Sequence, residues 1–177
     1  VDILGIDLSV AAGAYRAWCH AFLKDASSAS EEAEAAALRA EDGGHGFSSA
    51  FARVMAAVSY LFLDRPDLAA PHAKIAASLA EEYCFAQISS QATICLGHIE
   101  GLSGDRGGLL RLERGLNMYL ATGARLAVPY ARYWLCQGYA RAGRRAKADE
   151  QIRLIKAHVS RTGERYFDKH MQRGEQI

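Results

Sequence analysis

The sequence holds only three prolines, aromatic residues make up 9% of it, and β-branched residues do not cluster. Each shortage argues against a sheet, because strands draw on β-branched and aromatic side chains and their turns on proline. Half of the 177 residues are apolar, with alanine a large part of that share, a composition suited to helices lying close together. The chain is read as all-α. Long apolar runs are missing too. The longest stretch without Asp, Glu, Lys or Arg is Tyr83 to Ile99, interrupted by Gln87, Ser89, Ser90, Gln91, Thr93 and His98. That describes a buried helix, and no membrane span is expected. The N-terminus carries Asp2 and Asp7 where a signal peptide would be basic, so no secretory leader is read there. No C-x-x-C pair occurs among Cys19, Cys84, Cys95 and Cys136, a spacing that fits buried thiols in a reducing cytoplasm. The chain also lacks the G-x-x-x-x-G-K-[ST] loop that cradles nucleotide phosphates.

What is present begins with a pattern between Tyr130 and Ile155. Leu135, Cys136, Tyr139, Gly143, Ala148, Ile152 and Ile155 are spaced as in one tetratricopeptide-like (TPR-like) helical hairpin. Gly143 ends the first helix, and Ala148 lets the second pack closely. Similar hairpins recur upstream at a regular interval. Asp64, Gly104 and Gly143 occupy the inter-helix turn, with Tyr60, Glu100 and Tyr139 four residues earlier. Ala57, Gly97 and Cys136, all small, stand seven before the turn, and Ala69, Leu109 and Ala148 five after it. Gly107-Gly108 implies a one-residue deletion in the middle hairpin. A lone hairpin cannot bury its apolar face, so hairpins must stack on neighbours. The expected architecture is a right-handed α-α superhelix of about four hairpins plus a terminal helix, with residues 1–177 forming one TPR-like domain.

Caps and apolar spacing place the helices. They are expected over about Asp7–Lys24, from a Ser28/Glu31 capping box to Gly43-Gly44, Phe47–Leu63, and a fourth with Pro71 in its first turn, ending near Tyr83. Further helices are expected over Ala86–Leu102, Gly108–Ala121, Pro129 to Gly143, and Ala146–Arg161, with a ninth from Tyr166. Because that last segment stops within an amphipathic pattern, the chain is expected to be a fragment of a larger protein.

Charge is uneven along the chain. Residues 1–88 carry 6 Lys+Arg against 12 Asp+Glu, and residues 89–177 carry 15 against 8. The simplest reading is solvated faces; the sharper one is two ends facing oppositely charged neighbours.

Two segments resemble a known group. Gly115-Leu116-Asn117-Met118-Tyr119-Leu120-Ala121-Thr122-Gly123-Ala124 and Arg161-Thr162-Gly163-Glu164-Arg165-Tyr166, followed by Arg173-Gly174-Glu175, are similar to motifs of large bacterial regulators. In those proteins a TPR-like solenoid follows a signal-transduction (STAND-type) ATPase. An adenylate/guanylate cyclase or a DNA-binding domain of the LuxR or maltose-regulator kind heads the chain. Met171 departs from that pattern, which tends to carry Arg before the Gly-Glu pair. The resemblance implies a sensing or regulatory arm whose intramolecular ATPase and output domain lie elsewhere.

Candidates for chemistry are few. Cys95 and His98 share a helical face but lack the further ligands a metal needs. Cys19-His20 point apart on a helix. Gly104–Gly108 reads as a repeat turn, not a phosphate loop. The basic set Arg141, Arg144, Arg145, Lys147, Arg153, Lys156 and Arg161 has few of the aromatic neighbours that nucleic-acid binding uses, and no recognition-helix motif is evident. No catalytic residue, cofactor or metal is therefore assigned, and neither a membrane nor nucleic acid is an expected partner. The inner face of each hairpin's first helix is the remaining candidate. It would carry Gln91, Ile94 and His98 in the fifth helix and Tyr130, Tyr133, Gln137 and Arg141 in the seventh. In the third, Phe51, Val54, Val58 and Leu61 read as core. The expected function is recognition of a protein or peptide segment in a concave groove by a non-catalytic module of a cytoplasmic bacterial regulator. The alternatives are a free-standing pheromone-type peptide receptor and, more remotely, a helical enzyme.

Overall fold

The computed structural model describes residues 5–164, the side chain of Arg106 apart. Among them are eight α-helices and no strand: α1 (Leu8–Phe22), α2 (Ala26–Asp42), α3 (Gly46–Phe62), α4 (Pro66–Glu82), α5 (Ala86–Leu102), α6 (Arg106–Ala121), α7 (Val128–Arg141) and α8 (Arg145–Thr162). The all-α expectation is met, with helical hairpins as the building block. The ninth helix expected from Tyr166 lies outside the described residues.

A single device makes most of the turns. Just past the end of each of α1 to α7 the chain enters the left-handed region, at Lys24, Gly44, Asp64, Cys84, Gly104, Gly123 and Gly143. These positions are evenly spaced, except that the step across α6, from Gly104 to Gly123, is shorter by one. In five of these turns the next N–H reaches back five positions to a helix carbonyl: Asp25 to His20, Arg65 to Tyr60, Phe85 to Ala80, Asp105 to Glu100 and Arg144 to Tyr139. That is the Schellman closure, which satisfies carbonyls a helix end would leave bare. The donor of that bond is also the last residue before the next helix. Asp25 and Asp105 then turn their carboxylates onto the first N–H groups of α2 and α6. One helix and one short turn thus make a half-repeat, where the sequence spacing had shown only whole hairpins.

The contacts gather into two units, Val1–Leu96 and Gly97–Ile177, with α5 running through the boundary. In the first unit α1 pairs with α2, α3 lies against both, and α4 pairs with α3. Hairpins stacked in sequence order are the packing of an α-α solenoid. Helix α3 is its centre, with twelve of seventeen residues buried. Helices α2 and α4 bury alanine, Ala29, Ala33, Ala36, Ala37 and Ala40 in one and Ala69, Ala73, Ala76 and Ala80 in the other, and Ala36 lies against Gly13 of α1. In the second unit α7 packs on α6 and pairs with α8.

The middle hairpin confirms the shortened register. A Cβ on Gly97 would lie 2.5 Å from the Leu112 nitrogen, and one on Gly108 would strike the backbone at Glu100 and Gly101. The two helices meet backbone to backbone. Buried positions on α6, Gly108, Leu112, Gly115 and Tyr119, sit one residue earlier after the turn than Ala69, Ala73, Ala76 and Ala80 of α4.

Two local expectations need correction. The cap of α2 is Asp25, not Ser28: the Ser28 N–H donates to the Asp25 carboxylate, and the helix starts at Ala26. The preceding turn places Asp25 directly before the helix, so its carboxylate is the first available to the bare N–H groups. Pro71 lies inside α4, not in its first turn; Pro66 opens the helix. The N–H missing at Pro71 leaves the Asp67 carbonyl without its helical partner, and the exposure of that face lets water serve instead.

Candidate functional site

The six expected groove residues fall into three environments. Gln91 on α5 is buried in the first unit. In the second, His98 is buried flat against Trp134, ring centroids 4.6 Å apart and 9° from parallel. Tyr130, also buried, tilts against the same Trp134 at 4.9 Å. Burial, helped by the Arg141 charge, pushes the His98 pKa down to about 3, so this imidazole stays neutral. All three are buried, His98 and Tyr130 against one ring.

Tyr133 and Gln137 are half-buried and line a cleft of about 570 Å³ between α7 and α8, with Cys136, Asp149, Ile152 and Arg153 among its walls. Arg141 is exposed and lines a different cleft, of about 710 Å³, shared by α6 and α7 with Asp105, Leu109, Leu110, Gly138 and Arg144. Side chains three or four apart on α7 share a face, so Tyr133, Gln137 and Arg141 form a row. The two clefts divide that row, Tyr133 and Gln137 lining one and Arg141 the other. The structure brings Tyr133 and Gln137 together and leaves Arg141 at the rim.

Cys95, and a Ser48–His45 approach that the spacing had not suggested, each have a structural explanation. Cys95 is fully buried, and desolvation raises its thiol to about 12. Ser48 and His45 lie 2.8 Å apart, yet His45 is the cap of α3, and the Ser48 hydroxyl receives the Asp7 N–H at 3.0 Å. That pair joins two helix starts. Among the described residues no cluster of three or more His, Cys, Asp or Glu could hold a metal, and no helix is long and apolar enough to cross a membrane.

Sequence inspection missed a set of polar contacts that recurs at the same positions two hairpins apart, joined into a network in the first unit. In the first unit Tyr60 donates to Glu34 at 2.8 Å, and His72 Nε2 approaches the same carboxylate oxygen at 3.1 Å. On its other side His72 Nδ1 faces Arg53 at 3.2 Å, and Arg53 pairs with Glu41. Arginine can only donate and an ionised carboxylate only accept, so His72 carries its proton on Nε2. In the second unit Tyr139 donates to Glu113 at 2.6 Å and Arg132 to Gln151 at 2.8 Å. Glu113, Arg132, Tyr139 and Gln151 follow Glu34, Arg53, Tyr60 and His72 at one constant offset. The signal was available, since Tyr60 and Tyr139 already aligned on their turns. Nothing in a spacing tells that an exposed-looking Glu on the previous hairpin is the partner.

Compared with protein-family models the chain finds no match, and a search of curated proteins finds none either.

Proposed function

We propose that this chain is a non-catalytic recognition module. It holds a protein or peptide segment, and it serves as the TPR-like sensing arm of a cytoplasmic bacterial signalling or transcriptional regulator with a STAND-type ATPase. The observation that carries the reading is the α7/α8 cleft. Its wall sets Tyr133 and Gln137 beside apolar Ile152 and the charged pair Asp149 and Arg153, the mixture of apolar surface and a few oriented polar groups that binds peptides well. Repetition of one hairpin unit supports it, because stacked hairpins offer surface more readily than converging reactive groups. Two of the ionisable groups with large shifts support it as well: Cys95 and His98 are both held neutral by burial. The regulator context rests on the Gly-Leu-x-x-Tyr-x-Ala-Thr-Gly-Ala and Thr-Gly-Glu-Arg segments. Binding would act by favouring one arrangement of the linked domains over another.

Selection from a random peptide library on the purified protein, with titration of the ATPase encoded in the same reading frame, tests this. The expected result is at least one ligand that saturates and that Tyr133→Ala weakens. Failure to recover any ligand up to high micromolar concentration, from the library or the ATPase, overturns the reading.

A further inference from the structure

The first unit carries an aromatic surface that neither its packing nor the α7/α8 cleft uses. At the turn between α4 and α5 the left-handed residue is Cys84, with φ 58°. It sets Tyr83 and Phe85 side by side, 5.6 Å apart and 12° from parallel. Phe85 meets Phe47 of α3 edge to face at 5.1 Å, and the Tyr83 ring covers Gly46 at 3.3 Å from where a Cβ would stand. Phe47 continues to Phe51 and then Tyr15 at 6.4 and 5.8 Å. Tyr83 keeps 49% of its surface in solvent and Tyr15 41%, while Phe47, Phe51 and Phe85 are half-buried. Rings of this size are costly to leave wet.

Acidic residues outnumber basic ones at the adjoining helix ends. Helices α2 and α4 both end here, in Glu41-Asp42 and Glu81-Glu82. Glu41 is paired with Arg53. Asp42, Glu81 and Glu82 are exposed and form no ion pair with a described residue, and α4 has no basic residue in its last turn. The cation nearest in sequence, Arg39, reaches the Ser9 carbonyl of α1. Ends of α2 and α4 alternate with starts of α1, α3 and α5, so helix dipoles largely offset and the side chains set the potential. Aromatic faces beside uncompensated carboxylates suit an Arg or Lys side chain, whose stem packs on a ring while its head meets the carboxylate.

We propose that Phe47, Tyr83 and Phe85, with Asp42, Glu81 and Glu82, form a docking surface for a basic segment of a partner protein, in which Arg or Lys alternates with apolar residues. This deepens the recognition reading and rests on it. A segment carrying both residue kinds suits the surface, since adjoining rings 5.1 Å and 5.6 Å apart offer apolar area and the nearby helix ends offer carboxylates.

The test uses two fluorescein-labelled peptides, one alternating Arg with Leu and one alternating Glu with Leu, titrated against the whole chain at low and moderate salt. The basic peptide is expected to bind and the acidic one not, with affinity falling as salt rises. Tyr83→Ala should weaken binding roughly threefold to tenfold, the loss of one cation–π contact. Glu81→Gln with Glu82→Gln should reduce both affinity and salt dependence, and Glu82→Lys should shift preference toward the acidic peptide. Unchanged melting curves show that the variants fold. Binding of the basic peptide that ignores these substitutions but is weakened by Tyr133→Ala refutes this surface and leaves the recognition reading intact. Concentration-dependent mass in sedimentation, abolished by the same substitutions, would assign the surface to a second copy and refutes a basic partner segment. If neither labelled peptide nor any library ligand binds, both proposals fall.

Discussion

Glu34, Arg53, Tyr60 and His72 stand on the same hairpin positions as Glu113, Arg132, Tyr139 and Gln151, yet the two sets handle charge differently. Both keep the tie from a tyrosine near the end of one hairpin's first helix to a glutamate on the helix before it. In the first unit the arginine reaches a histidine and a carboxylate. In the second it reaches the neutral amide of Gln151, and burial lowers its pKa. The surrounding core differs too. Ala33, Ala37 and Ala40 of α2 correspond to Leu112, Leu116 and Tyr119 of α6 at the same offset, and Tyr119, fully buried, accepts the Ala127 N–H at 3.2 Å before α7 begins. What repeats is therefore where a polar bridge must cross between helices. Its titration and the bulk around it are free to change.

The largest effect should come from the middle hairpin. Gly97→Ala forces a Cβ into the backbone at Leu112 and should cost on the order of 3 kcal/mol or more, because the atoms it meets cannot rotate away. At the corresponding position of α3, where a methyl already fits, Ala57→Gly should cost only about 1 kcal/mol, through backbone entropy and a lost methyl. Urea unfolding of both variants measures the pair; equal losses would mean that the closeness of α5 and α6 has no energetic weight.

Acid should act on both units through their histidines. His72 has its pKa lowered, first by burial, then by the Arg53 charge, against Glu34 and Glu41 which raise it; Tyr60 shares its Glu34 partner. His98 is lowered to about 3. A depressed histidine pKa leaves stability intact above the unfolded value of about 6.5 and removes it as pH falls, since only the unfolded chain takes up the proton. Stability should therefore decline from about pH 6.5 downward, with each such histidine adding up to roughly 1.4 kcal/mol per pH unit. His72→Gln installs the amide of the second unit and should flatten the first unit's share of the decline below about pH 6.5. A slope unchanged in that variant would place the acid sensitivity elsewhere.

Tyr60→Phe and Tyr139→Phe should each lose about 1 kcal/mol, the net worth of a hydrogen bond to a half-exposed carboxylate. Burial first, and then the hydrogen-bonded carboxylate, raise both phenols, Tyr60 to about 12, so Glu34→Gln should lower the Tyr60 pKa in part, read by spectrophotometric titration. The smallest effect belongs to the turns. Asp64→Gly, placing in the first unit the residue that Gly143 supplies in the second, should stabilise by somewhat under about 1 kcal/mol by relieving a left-handed side chain. Lys24 reaches the Asp64 carboxylate at 3.4 Å, an exposed contact too weak to reverse the sign.

The local code of this chain was open to reading. Alanine-rich spacing named the helices, Gly104 and Gly143 named turns, and Gly107-Gly108 located the missing residue, because each depends on neighbours a few positions away. The helix ends at Lys24 and near Tyr83 were read as well, but not that Lys24 and Cys84 take the left-handed conformation: such a residue need not be glycine when the Schellman bonds around it compensate. The site was harder. Tyr133 and Gln137 do line a cleft, but periodicity put His98 and Tyr130 on the same face without showing that Trp134 covers them. A side chain's solvent exposure is settled by whatever packs across from it. Sequence by itself determined an all-helical chain of paired rods, since propensity and turn chemistry act within a few residues. Only tertiary structure decided which polar groups meet across helices, as Arg53 meets His72 and Tyr60 meets Glu34. It also decided which helices touch through glycine and which aromatic rings remain at the surface, because those follow from distances between helices that no local pattern encodes.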